Sequence, residues 1–174
     1  MRLVRWKRFT WNLHTLPPPA HQLPGYLQVR PAGRDDEKGV THLVFTAFTL
    51  DATWSDSLKT FREWLELSLH SAFAREDLPA LVVAHGPRII AASVLHSEAD
   101  AESHLISGPC VLPEYCNRGI GSTLLHLSLS QLREAGLATA HAVTKENAPA
   151  AKFVYPKFGS ITTEHDHEPQ LAGP

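Results

Sequence analysis

The stretch PEYCNRGIGSTLLHL, residues Pro113 to Leu127, sets two glycines around one isoleucine, behind an arginine and ahead of an apolar run. Glycine inside a helix costs about 1 kcal/mol relative to alanine. Gly119 and Gly121 at a helix mouth therefore imply that something approaches the backbone closely. The run before the turn, His104 to Leu112, reads as a strand that Gly108-Pro109 interrupts, because proline cannot donate to a ladder. The run after it, Ile120 to Ala135, reads as a helix ended by Gly136 as a C-cap. Strand, glycine turn and helix together make an anion-binding arrangement. The first amides of a helix lack internal partners, and its macrodipole puts about +0.5 charge there. Missing Cβ atoms let phosphate oxygens reach those donors, and Arg118 adds a fixed charge. Two phosphate motifs are absent: there is no GxxxxGK followed by Ser or Thr, and Leu124 stands where GxGxxG needs its third glycine. Close packing of a tight turn explains this glycine pair, taken alone, equally well.

The helix carries two apolar rows, Leu125, Leu129 and Leu132 in one and Ile120, Leu124 and Leu127 in the other. Upstream, Tyr26 to Arg30 alternates as a half-buried strand does. Val40 to Leu50 and Leu58 to Phe73 read as helices, the second with Leu58, Phe61, Leu65 and Leu69 at steps of three and four and with Asp56 or Ser57 as N-cap. Ala80–Ala84 and Arg88–Leu95 form a hairpin through His85-Gly86-Pro87. Downstream come a strand over Leu137–Val143, a short helix over Ala148–Phe158 and a last strand over Ser160–Glu164. Helices between strands predict an α/β fold with a mixed sheet. Residues 1–24 read as an N-terminal extension, basic and aromatic and then Pro-rich, and 25–174 as a single domain. Trp6, Phe9 and Trp11 suit an added edge strand better than an exposed contact.

The chain has 174 residues, enough for one self-sufficient core. Its net charge of −2 shows no global nucleic-acid footprint, although residues 1–30 carry +5 and the remainder −7. No apolar run approaches the roughly 18–20 residues that span a bilayer. The N-terminus is Arg-rich and acid-free like a transit peptide, yet residues 1–24 lack serine and Pro17–Pro19 break any amphipathic helix. Cys110 and Cys116 make no disulfide framework, so a reducing cytoplasm is expected.

VLPEYCNRGIGSTLL closely resembles the cofactor motif of the GNAT superfamily of acyl-CoA N-acyltransferases, Gln/Arg-x-x-Gly-x-Gly/Ala after a strand. Gly119 and Gly121 match its two small positions and Arg118 a common basic one. Cys116 stands at the initial Gln/Arg position, and Asn117 replaces a frequent glycine. Asn117 tolerates positive φ better than most residues, which would keep the turn. A second segment, KENAPAAKFVYPKFGS, resembles the family's Asn…Ala…Tyr-x-Lys-x-Gly helix through Tyr155, Lys157 and Gly159. Asn147 sits one residue early relative to Tyr155, which implies an insertion or a distorted helix. The resemblance covers Leu81 to Ile161, about half the chain.

It implies a GNAT fold with splayed parallel strands, acetyl transfer from acetyl-CoA to an amine of a small molecule or peptide, and no metal. The implied coenzyme contacts are Val111 and the turn Asn117, Arg118, Gly119, Ile120, Gly121 and Ser122, with Asn147. Tyr155 is the candidate acid, since a phenol with pKa near 10 can protonate or hydrogen-bond a leaving thiolate. Glu98, Glu102, His104 and His141 are candidate bases, of which Glu102 and His104 are preferred. Cys110 as an acetylated nucleophile is a rival mechanism. A thiolate at Cys116 would be favoured by the helix N-terminus. Trp54, Trp64, Phe45, Phe48 and Asp51 suit an acceptor pocket for a cationic amine, and packing alone also accounts for the aromatics. His165-Asp166-His167 is a weak metal motif, better read as a solvated strand end. Neither nucleic acid nor membrane is an expected partner, and a homodimer is in keeping with the family. Two other readings are a non-catalytic acyl-CoA-binding module, motivated by Cys116 and Asn117, and an arm over residues 1–24 that grips an acidic partner.

Overall fold

A computed structural model describes residues 5–19 and 22–165, apart from the side chains of Leu58 and Thr60. Among the described residues, seven strands form two antiparallel sheets. The first has the order β2 (Leu27–Pro31), β3 (Ala80–His85), β4 (Arg88–Val94) and β5 (Cys110–Val111). The second has the order β6 (Thr139–Lys145), β1 (Trp6–Asn12) and β7 (Ile161–His165). Helices α1 (Glu37–Leu50) and α2 (Leu58–Ala74) lie between β2 and β3 in sequence, and α3 (Ile120–Glu134) links β5 to β6.

The period-two pattern of β3 sorts its side chains onto opposite faces. Ala80 and Val82 pack with Val40 and Leu43 of α1 and Leu65 and Leu69 of α2. Leu81 and Val83 pack with Ile120 and Leu124 of α3. The two rows on α3 thus have separate partners: Ile120, Leu124 and Leu127 meet the first sheet, and Leu125, Leu129 and Leu132 meet the second. One helix bridges both sheets, and the expected Gly136 cap closes it with φ +100 and a Leu137 N–H to Leu132 carbonyl bond of 3.2 Å.

Three expectations are corrected. The N-terminal strand is central, not an edge: Trp6–Asn12 pairs with β6 on one side and β7 on the other. Phe9, Trp11 and Leu13 enter the core, and the Trp11 indole donates to the Lys157 carbonyl at 2.9 Å. Truncating so buried a tryptophan costs about 3–5 kcal/mol, so residues 6–13 are built into the domain and leave no free aromatic arm. The long strand over His104–Leu112 shrinks to Cys110–Val111 and one bridge, Leu95 to Leu105, because Gly108 turns to φ +62 before Pro109. Finally, the splay between β5 and β6 is complete. They share no ladder among the described residues, and every ladder there is antiparallel. The two sheets are joined instead by the packing of α3 and by hydrogen bonds from the loop before β5, such as His104 N–H to the His141 carbonyl at 2.7 Å.

Candidate functional site

The glycine turn reaches α3 through two left-handed residues, Asn117 at φ +63 and Gly119 at φ +78. Asn117 keeps the turn as its tolerance of positive φ predicted. The Gly119 carbonyl accepts from Thr123 N–H at 3.1 Å, leaving the amides of Ile120, Gly121 and Ser122 as the helix's unpaired donors. Ile120 offers only backbone, since its side chain is buried. A Cβ on Gly121 would rest 3.9 Å from a Val111 methyl, which sets the helix mouth against the end of β5. The exposed Arg118 donates to the Glu114 carbonyl at 3.0 Å and stacks over Tyr115. Asn147 is exposed in the turn after β6, and its side chain makes no hydrogen bond among the described residues. Lys157, read only as a motif match, has a place here: its ammonium donates to Ser122 Oγ at 2.6 Å. The signal for it was its spacing from Tyr155, but only the fold shows that 35 residues of separation close onto the helix mouth.

Tyr155 follows a π-helical turn, Ala150–Val154, with its own N–H bonded to the Ala150 carbonyl at 2.8 Å. This five-residue step accounts for the early position of Asn147: one extra residue is absorbed in the wider turn. It also replaces the regular helix expected over Ala148–Phe158. Phe9 and Trp11 pack edge-on against the phenol ring. The phenol oxygen lies over Gly108, where any Cβ would fall well inside van der Waals contact. Burial, and secondarily the nearby Cys110 sulfur, hold the phenol's pKa well above its ordinary value, so Tyr155 is protonated throughout the neutral range.

Tyr155 lines a cavity of about 740 Å³ together with Ser107, Gly108, Val143 and Thr144 at the opening between the sheets. Trp6, Phe48, Trp54, Phe61 and Trp64 form its far wall. Phe45 and Asp51 of the expected pocket are not part of it. Phe45 stacks under Arg62, and Asp51 caps the turn Ala52–Trp54 by accepting from Thr53 N–H at 3.0 Å. Ser57 is the N-cap of α2, as expected, and Asp56 and Ser57 have a further role. They and the Thr53 carbonyl hold the buried Lys145 ammonium, which lies 5.0 Å from the Trp54 ring centre and ties this wall to β6.

Among the candidate bases, Glu102 lines the cavity and accepts from His165 Nε2 at 2.6 Å. His165 is thereby engaged, and the other two residues of its motif, Asp166 and His167, lie outside the described residues. Among the described residues no cluster of three or more His, Cys, Asp or Glu could hold a metal ion. His104 is fully buried, with Nδ1 accepting from His141 N–H at 2.9 Å and Nε2 3.0 Å from the Glu98 carbonyl. Both nitrogens are used, and burial lowers its pKa, so His104 is a structural tie between β6 and the loop before β5 rather than a base. His141 bonds Thr10 Oγ1 at 2.9 Å, and burial first, then Arg8 and His104, lower its pKa to about 4. Glu98 is ion-paired with Arg75 at 3.2 Å. Cys110 is sealed in the core, with its pKa pushed up to about 12 by burial, which removes it as a nucleophile. Cys116 is likewise raised, by partial burial and by Glu114, opposite to the effect expected of a helix N-terminus. Its thiol donates to the Leu112 carbonyl at 3.5 Å instead.

A family model described as Acetyltransferase (GNAT) family matches residues 41–159, more than half of the chain. The chain belongs to the GNAT acetyltransferase family. Solved structures agree on the fold. A GCN5-related N-acetyltransferase from Sphaerobacter thermophilus superposes with TM-score 0.62 at 18% identity, covering 94% of this chain and 50% of that one. A Drosophila protein gives TM-score 0.61 at 14% identity, covering 92% and 49%. A GCN5-related N-acetyltransferase from Kribbella flavida gives 0.60 at 12% identity, covering 94% and 59%. This chain thus spans about half the length of these structures. A comparison with curated proteins finds no match. No helix among the described residues is long and apolar enough to cross a membrane.

Proposed function

We propose that this GNAT domain is a cytoplasmic N-acetyltransferase that moves an acetyl group from acetyl-CoA to a primary amine of a small molecule or peptide. The reaction is direct attack in a ternary complex, without a metal. The observation that carries this reading is the placement of Tyr155: a phenol kept protonated by burial faces the cavity at the opening between β5 and β6. At the other end of β5 lie the unpaired amides of Ile120, Gly121 and Ser122, suited to a diphosphate. Arg118 and Lys157 supply charge beside them, Asn117 and Gly119 hold the turn open, and Val111 offers backbone groups to the pantetheine arm. Asn147 is the remaining proposed contact. The amine nitrogen attacks the thioester carbonyl, the C–S bond breaks, and the electron pair leaves on sulfur. Tyr155 donates to the developing thiolate. Because its pKa stands far above a thiol's, the hydrogen bond is the larger part of this role. The acceptor's surplus proton goes to Glu102 or to water.

Acetyl-CoA titration combined with a thiol-release assay over an amine panel tests the reading. Tyr155→Phe should lower turnover about 10–1000-fold with little change in CoA affinity. Coenzyme binding without turnover, unaffected by that substitution, would instead favour an acyl-CoA-binding module.

A further inference from the structure

The cavity opposite Tyr155 is shaped for more than a bare amine. Five aromatic rings form one continuous wall. Trp6 meets Trp54 edge-on at 6.0 Å, Trp54 stacks on Phe61 at 5.3 Å, and Phe61 leans on Trp64 at 5.1 Å, with Phe48 against both Trp54 and Phe61. All five line the cavity, and all but Trp54 keep part of their surface uncovered. A cluster that served packing alone would bury those faces. Here they are turned to a space of about 740 Å³, inside the range of roughly 300–1,000 Å³ usual for small organic ligands. The polar groups are few and biased in sign. Glu63 and Glu102 line the cavity; Glu102 is engaged by His165 at 2.6 Å, and Arg75, the arginine among the described lining residues, is held by Asp77 at 2.8 Å and Glu98 at 3.2 Å. Glu63 is the lining carboxylate with no hydrogen bond or ion pair among the described residues, so it is the group left to face an entering cation.

We infer that the acceptor is a primary amine carrying an aromatic body, an arylalkylamine, whose ring lies on the Trp54–Phe61–Trp64 wall and whose ammonium is drawn in by Glu63. This inference rests on the acyl-transfer reading for its chemistry and on the aromatic wall for its substrate class. A linear polyamine would leave the wall uncovered. A lysine side chain would bring only a methylene stem to it.

Three of the four tryptophans, Trp6, Trp54 and Trp64, line the cavity, and Trp11 is sealed in the core. Intrinsic fluorescence therefore reports on this space without any turnover. The probes are 2-phenylethylamine, putrescine and a lysine-bearing tripeptide, titrated into the full chain with and without CoA. The expected result is a saturable emission change with 2-phenylethylamine at a Kd at least about tenfold below those of the other two. Trp64→Leu should weaken it about tenfold with an unchanged circular dichroism spectrum. Glu63→Gln, an exposed change on α2 that leaves packing intact, should weaken it a few-fold and more at low salt. Equal or tighter binding of putrescine or the tripeptide, or no saturable signal with 2-phenylethylamine, overturns the inference. Thiol release separates the two claims. Arylalkylamine binding without acetyl-CoA turnover sinks the acyl-transfer reading and keeps the ligand class. Turnover with putrescine or the tripeptide and none with 2-phenylethylamine does the reverse.

Discussion

Gly108 should be the least replaceable residue near Tyr155. It holds φ +62, and an added Cβ would overlap the Tyr155 hydroxyl oxygen while lying only in ordinary contact, 3.5 Å, with the carbon that bears it. Gly108→Ala has two costs. A left-handed conformation costs an alanine roughly 1–2 kcal/mol, and overpacking against a buried ring adds typically about 1–3 kcal/mol. The phenol is wedged by Phe9 and Trp11, so relief requires the oxygen to withdraw by on the order of 1 Å, a displacement that costs about 10²-fold in rate when it falls on a reacting group. The assay is kcat and KM for acetyl-CoA by thiol release, alongside thermal unfolding of Gly108→Ala, Tyr155→Phe and the double variant. We expect kcat to fall about 100-fold with KM for acetyl-CoA nearly unchanged. Tm should drop by roughly 4–20 °C at about 2–4 °C per kcal/mol. The double variant is the sharper test. Removing the oxygen relieves the overlap but not the φ strain, so Tyr155→Phe should restore about 1–3 kcal/mol in the Gly108→Ala background. If Gly108→Ala keeps wild-type turnover and stability, or if the phenylalanine restores nothing, the reasoning fails.

Three further outcomes follow from the same geometry. Gly121→Leu should fold, because its Cβ meets only a Val111 methyl at 3.9 Å, yet should lose CoA affinity by about tenfold or more in calorimetry, as the side chain covers the amides. Cys110→Ala should keep turnover and yield no acetylated protein by mass spectrometry, at a stability cost of about 1–2 kcal/mol for the small cavity. Acid should unfold the protein partly through His141 and His104. Both have folded pKa values below the unfolded 6.5, so the unfolded chain binds more protons and stability falls as pH drops from 6.5 towards about 4. His141→Gln should flatten the dependence of Tm on pH in that window.

The elements legible in the sequence were those whose signals are local. The two apolar rows of α3 formed as their spacing implied, though the spacing did not show the two separate sheets they meet, and the Gly136 cap formed. The Arg-Gly-Ile-Gly turn lies at the helix mouth as its glycines require. What stayed hidden depends on long-range pairing. Trp6–Asn12 has the alternation of any half-buried strand, and nothing local tells an edge from a central position. Only pairing with β6 and β7, more than 120 residues away, decides it. The offset of Asn147 signalled a distortion, but its form, a π turn that swings Tyr155 onto Gly108, required the packing of Phe9 and Trp11 behind the ring. The bases were illegible for a similar reason. His104 and Glu102 lie two residues apart, yet one is consumed by backbone ties and the other opens to the cavity.

A crystal structure of the protein with bound acetyl-CoA tests the central claim most directly. The account predicts the diphosphate against the amides of Ile120 to Ser122, the pantetheine arm between β5 and β6, and the thioester sulfur within hydrogen-bond reach of the Tyr155 hydroxyl. Electron density with the diphosphate away from the mouth of α3, or the sulfur beyond reach of that phenol, would contradict it.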